Sequence, residues 1–153
     1  MHPDLIELLE LLRIHNVEYL VVGSTALAIH ARPRYTEDID LWIRRSADNT
    51  HRLADALRAF GFEVSDETLR PFWEQDRQMV TLGVKPQAVD LLNFLGEDSF
   101  ETAWAGRTEA SIAGVLVPVI GFREFVKSKR TAGRPKDQAD LALLQEIWGD
   151  LPE

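Results

Sequence analysis

The chain has 153 residues, of which 45% are hydrophobic and 27% charged, the balance of a globular protein and not of a disordered one. It has no cysteine, which excludes disulfides and thiolate metal sites. Its 17 basic and 25 acidic side chains give a net charge of −8, which disfavours a general nucleic-acid backbone binder.

The opening MHPDLIELLELL mixes acids with apolar residues and lacks a basic leader, so it reads as an amphipathic helix and not as a signal peptide. Leu5, Ile6, Leu8, Leu9, Leu12 and Val17 predict that helix over residues 3–16. Tyr19 to Val22 is a short β-prone run stopped by Gly23, and Ser24 offers the first cap of a helix over Thr25 to Ala31. Arg32-Pro33-Arg34 ends that helix, because proline disfavours helical geometry in the preceding residue. Asp38 to Ile43 reads as a strand with Ile39, Leu41 and Ile43 on one face. A helix over Asn49 to Phe60 follows, closed by Gly61. Val64 suggests a short strand, and Glu67 to Gln75 fits no single pattern.

Met79–Val84 and Ala88–Leu95 read as two strands joined by a turn at Lys85-Pro86-Gln87. Phe100–Gly106 reads as a helix and Ala110–Val119 as a hairpin turning at Ala113-Gly114. Helices over Arg123–Thr131 and Lys136–Trp148, split by Gly-Arg-Pro, form a short C-terminal helical segment. The expectation is one α/β domain over residues 1–153, with a mixed central sheet flanked by helices. No apolar run approaches the roughly 20 residues that span a bilayer, so no membrane partner and a cytoplasmic location are expected.

Asp38 and Asp40 are two apart on a predicted strand, which puts both carboxylates on one face, roughly 7 Å apart at the backbone. Like charges so close repel, and a hard divalent cation such as magnesium removes the conflict. The structural alternative is a solvated strand end. Asp90 lies in AVDLLNFL, which is apolar on both alternating sets and reads as a strand buried on both faces. An aspartate there must be paired, hydrogen-bonded or metal-bound. If this strand lies beside Asp38–Ile43, three carboxylates converge, enough to hold two magnesium ions for a phosphoryl transfer.

Gly23-Ser24 follows a strand and opens a helix, a place where backbone N–H groups and a hydroxyl can meet an anion. Alone, it is more simply a capped helix. Lys127, Lys129, Arg130, Arg134 and Lys136 form one basic segment in an acidic chain, which suits a small anionic ligand. Lys129, Arg130, Arg134 and Lys136 could balance charge on a triphosphate, whereas Lys127 and Lys136 read better as solvated surface. Asp137 and Asp140 also suit the first turns of a helix. His2, His15, His30 and His51 lack metal-ligand spacing, and Trp42, Trp73, Trp104 and Trp148 read as core or core-edge packing. Ser24 has no histidine base indicated beside it, which argues against a serine nucleophile.

Taken together, VVGSTALAIHARPRYTEDIDLWI resembles the signature of the nucleotidyltransferase superfamily typified by DNA polymerase beta. That signature joins Gly and Gly or Ser to a later Asp-apolar-Asp-apolar. Here residues 25 to 37 separate Ser24 from Asp38, thirteen positions, at the long end of the familiar range. Asp90 in VDLL matches the third acid. KSKRTAGRPKDQADLALL resembles the C-terminal block of small bacterial nucleotidyltransferases related to AbiEii-type toxins.

The resemblance implies the nucleotidyltransferase fold, with Asp38, Asp40 and Asp90 as catalytic metal ligands for two Mg2+ ions. It implies that Gly23 and Ser24 hold the triphosphate and that Asp90 also helps deprotonate the incoming hydroxyl. Lys129 would contact phosphate, Arg34 and Thr36 would touch phosphate or support Asp38, and Asp137 would orient Lys129, Arg130 or Lys136. The expected activity is transfer of a nucleoside monophosphate from an NTP such as ATP to a hydroxyl acceptor: a small molecule, a protein or tRNA. A toxin–antitoxin setting with a partner antitoxin chain is one context for it. The competing expectation is a catalytically silent interaction protein on the same scaffold. Little chain remains for the acceptor-gripping helical domain of larger relatives, so a small acceptor or a partner chain that completes the site is expected.

Overall fold

The computed structural model describes residues 3–31, 39–83 and 88–153. Helix α1 (Pro3–Ile14) buries Leu5, Leu8, Leu9 and Leu12, the i, i+3, i+4, i+7 stripe of an amphipathic helix. It packs against α3 (Ala47–Phe60). Ser46 caps α3 by accepting from the Asn49 N–H, and Gly61 ends it in a left-handed conformation that glycine adopts without steric penalty. The buried Asn49 amide donates to the carbonyls of Glu18 and Arg44 and accepts from the Glu18 N–H, tying α3 to the sheet.

Six strands form one mixed sheet: β1 (Tyr19–Val22), β2 (Ile39–Ile43), β3 (Met79–Leu82), β4 (Val89–Leu92), β5 (Thr108–Ile112) and β6 (Val115–Val119), in the order β3-β4-β2-β1-β6-β5. β1 is antiparallel to β2 and parallel to β6, and β2 is parallel to β4. All of β1 is buried, as is β2 apart from Asp40. The sheet centre is therefore covered on both faces, and the open position at Asp40 marks where the cover stops.

The remaining helices are α2 (Gly23–His30), α4 (Asp66–Leu69), α5 (Pro71–Glu74), α6 (Phe100–Ala105), α7 (Phe122–Ala132) and α8 (Pro135–Trp148). The ambiguous stretch Glu67–Gln75 thus resolves into α4, capped by Ser65, and α5, begun by Pro71. Val64 lies in no strand; it precedes the Ser65 cap and lends its carbonyl to Arg58. The turn at Lys85-Pro86-Gln87, the stop at Arg32-Pro33-Arg34 and His2 lie outside the described residues. Among the described residues no helix is long and apolar enough to cross a membrane.

Candidate active site

The site begins where β1 ends. Gly23 has φ +66°, and α2 starts on it directly, with Val22 in the cap position and no side-chain cap bond. The expected Ser24 cap is therefore corrected: the left-handed glycine makes the turn, and Ser24 falls within the first turn of the helix. Ser24 lines the cleft instead. Gly23 also has a steric duty. A Cβ there would come within 2.1 Å of Asp40 Oδ2, so the absence of a side chain lets the carboxylate lie against the turn.

Asp40 is the register partner of Val22 on β1 and of Asp90 on β4. In parallel strands, residues directly paired share a face, and Asp40 and Asp90 both line one cleft of about 620 Å³. Two acids fifty positions apart in the chain are thus neighbours beside Gly23-Ser24. Asp90 is half-buried, not enclosed: Val89 and Leu91 point into the core while Asp90 and Leu92 face the cleft. The expectation of a strand buried on both faces is corrected accordingly. Thr81 on β3 pairs with Asp90 in register, and its hydroxyl donates to Asp90 Oδ1 at 2.6 Å. Asp38, Arg34 and Thr36 lie outside the described residues. Among the described residues no group of three or more acids, histidines or cysteines stands ready for a metal. The Asp40–Asp90 pair nevertheless fits one, since hard carboxylate oxygens on adjacent strands are the donors that magnesium takes.

Helices α7 and α8 also line the cleft. Lys129, buried, reaches Asp137 Oδ1 at 3.2 Å and Asp140 Oδ2 at 3.0 Å. Asp137 also accepts from the Arg134 guanidinium at 2.7 Å and the Arg134 N–H at 3.2 Å. These bonds, Arg134 first, hold the Asp137 carboxyl down at about 2. Asp137 is 1% exposed and pairs with Lys129 and Arg134 from inside the helix pair. Lys129, Arg134 and Lys136 all line the cleft, and Lys136 is exposed there, in keeping with its reading as solvated surface.

Arg130 does not come to the cleft. Adjacent helical residues point about 100° apart, and with Lys129 turned inward, Arg130 is exposed and donates to the Pro152 carbonyl. His30, satisfied as expected, bonds Ile120 O through Nε2 at 2.7 Å. Trp42 is core and Trp104 stacks on Phe100, but Trp148 is 60% exposed and is held by its indole N–H on the His30 carbonyl.

Two residues that matter here were not singled out from the sequence. Thr81 is one. The other is Asn93, whose buried amide donates to the carbonyls of Phe72 and Gln75 and accepts from the Gln78 N–H. It fixes the start of the loop in which Phe94, Leu95, Gly96, Glu97 and Asp98 line the cleft. A polar residue interrupting the apolar run Leu91-Leu92-Asn93-Phe94-Leu95 was the available signal.

A family model described as aminoglycoside-2''-adenylyltransferase matches residues 4–144. No curated protein matches the sequence. Among solved structures, the chain is similar to the lincosamide antibiotic adenylyltransferase LnuA in its lincomycin-bound form. That likeness has 17% identity and a TM-score of 0.60, covering 96% of this chain and 98% of the other. It is similar to the antibiotic-resistance factor ANT(2'')-Ia in solution, with 14% identity and a TM-score of 0.59 over 94% of this chain and 81% of that one. The crystal structure of ANT(2'')-Ia with adenylyl-2''-tobramycin gives 16% identity and 0.58 over 93% and 86%. At these identities the likeness shows the fold: a mixed sheet flanked by helices.

Proposed function

The chain belongs to the aminoglycoside-2''-adenylyltransferase family, and from that membership we propose that it adenylylates a hydroxyl of a small acceptor, with ATP as donor. The observation that carries this is the pairing of Asp40 with Asp90 on one cleft, against the Gly23-Ser24 turn. Asp40 and Asp90, with Asp38, would hold magnesium, two ions in the full site; when bound, the metal neutralises charge on the phosphoryl oxygens.

The chain's own residues do the rest. The start of α2 and the Ser24 hydroxyl meet phosphate oxygens. Lys129, Arg134 and Lys136 balance the charge that remains on the triphosphate. The acceptor oxygen attacks the α-phosphorus, the bond to the bridging oxygen breaks, pyrophosphate leaves, and Asp90 takes the hydroxyl proton.

The walls divide the cleft between the two substrates. Lys129, Arg134 and Lys136 come from the α7–α8 region, with Asp137 and Asp140 paired to the first two, whereas β3, β4 and the loop after it bring Met79, Leu92, Phe94 and Leu95 with Asp98 and with Glu97, which pairs with Arg77. A cationic acceptor suits the acids of that lining, which accords with the basic amines of the tobramycin and lincomycin in the structural neighbours. The test is transfer of label from α-labelled ATP, and from each other NTP, to a panel of aminoglycosides and lincosamides. Asp40→Asn and Asp90→Asn should each abolish it. Labelling that survives both substitutions refutes the site, and calorimetric silence toward all four Mg–NTPs favours the inert interaction scaffold.

The C-terminal block favours a second context. Its Lys129–Asp137–Arg134 set is built into the wall of the cleft, and its resemblance to AbiEii-type toxins suggests an antitoxin chain as partner; tRNA or a protein is then a separate alternative to a small acceptor. Label appearing in tRNA or protein, and not in any antibiotic, would select it. A cytoplasmic location goes with either context.

A further inference from the structure

We infer that Thr81 is a positioning residue that sets the Asp90 carboxylate for its ligand; the inference rests on the metal-binding role proposed above for Asp90. Thr81 stands on β3, the edge strand of the sheet, directly paired with Asp90. Its hydroxyl donates to Oδ1 at 2.6 Å, a short bond of the charge-assisted kind. A carboxylate has about four acceptor positions on two oxygens, so one donor on Oδ1 fixes the plane of the group and leaves Oδ2 to an incoming ligand. On its other side Asp90 is paired with Asp40, a like charge. Asp90 thus stands between a repelling neighbour on β2 and a donating one on β3. Repulsion from β2 and attraction toward β3 act in the same direction, so together they hold the carboxylate on the Thr81 side.

The residue type fits this duty. A β-branched side chain in a strand is stiff about χ1, so the hydroxyl is aimed before any ligand arrives. Thr81 is exposed and does not belong to the core. Its contribution to the fold is therefore small, and valine, equally branched and equally β-prone, can replace it without disturbing the strand.

The experiment compares Thr81→Val, Thr81→Ser, Thr81→Ala, Asp90→Asn and Thr81→Val combined with Asp90→Asn. Binding of Mn2+ in the presence of a non-hydrolysable ATP analogue is read from the electron-paramagnetic-resonance signal of free Mn2+. Thermal unfolding midpoints are taken alongside. The expected result is about a tenfold rise in the Mn2+ half-saturation concentration for Thr81→Val and Thr81→Ala, the usual effect of losing a partner that orients a metal ligand. Thr81→Ser, which keeps the hydroxyl without the stiff branch, falls between the parent and Thr81→Val, the midpoints stay at the parent's, and Thr81→Val adds nothing once Asp90 is asparagine. If Asp90→Asn removes the tight Mn2+ but Thr81→Val does not weaken it, or Thr81→Ser is as weak as Thr81→Val, the positioning role is wrong and the site stands. If Asp90→Asn itself leaves Mn2+ binding unchanged, the metal site and this inference fall together.

Discussion

Replacing Gly23 by alanine tests the turn and the carboxylate at once. The new Cβ would meet Asp40 Oδ2 at 2.1 Å, whereas ordinary contact begins near 3.4 Å, so the carboxylate must retreat by roughly 1.3 Å if the backbone holds. The left-handed φ of +66° adds about 1–2 kcal/mol for a residue with a side chain. That backbone term alone should lower stability by a few degrees in melting temperature and leave the protein folded. The displaced carboxylate matters more, since a misplacement of about 1 Å at a reacting centre lowers a rate by ~100-fold, or about 2.7 kcal/mol. The assay is pyrophosphate release under saturating ATP and acceptor, with urea unfolding run on the same preparation. A folded Gly23→Ala variant with turnover within threefold of the parent would refute the reasoning, because Asp40 would then not need its place against the turn.

Three further outcomes follow from named contacts. Asp137→Asn should cost about 1–2 kcal/mol by urea unfolding at pH 7. The bound follows from the carboxyl being held at about 2, discounted because Arg134, its strongest partner, is largely exposed. A lowered folded pKa means the contribution is present above the ordinary carboxylate range and vanishes as pH falls toward 2, so the gap between parent and variant should close over pH 4 to 2. Burial pushes the His30 imidazole below its usual value, against a smaller opposite pull from the Ile120 carbonyl. The fold thus favours the neutral ring, and stability should fall as pH drops below about 6.5, less steeply in His30→Gln; parallel curves would contradict this. Asn93→Ala strands two carbonyls and one N–H and should lose roughly 2–4 kcal/mol, with an unchanged denaturation midpoint as the contrary result.

Local periodicity made the elements readable: the Leu5–Leu12 stripe gave α1, and Ala113-Gly114 located the β5–β6 turn. Asp40 and Asp90 were visible as acids in apolar strands, but their adjacency depends on a parallel crossover that no local pattern encodes. Asp90 looked enclosed because Leu92 and Phe94 continue the apolar set; in the structure those two face the cleft and make it partly apolar. Ser24 looked like a cap because a polar residue before an apolar run ordinarily is one, and only the backbone angle of Gly23 shows otherwise. Lys129 and Arg130 were indistinguishable by type. The rotation between neighbours on α7 separates them, with Phe125, Val126 and Lys129 buried and Arg130 left outside.

The parallel pairing of β2 with β4 has a kinetic corollary. The β5–β6 ribbon closes through a two-residue turn and can form early, whereas residues 40 and 90 meet only after a loop of fifty positions has been drawn shut. Ligand competence therefore waits on long-range closures such as this one and the pairing of Val21 with Val119, and not on the local ribbon. A fluorescent nucleotide added during refolding would act as a clock for those closures, lighting up after the helical signal has already recovered.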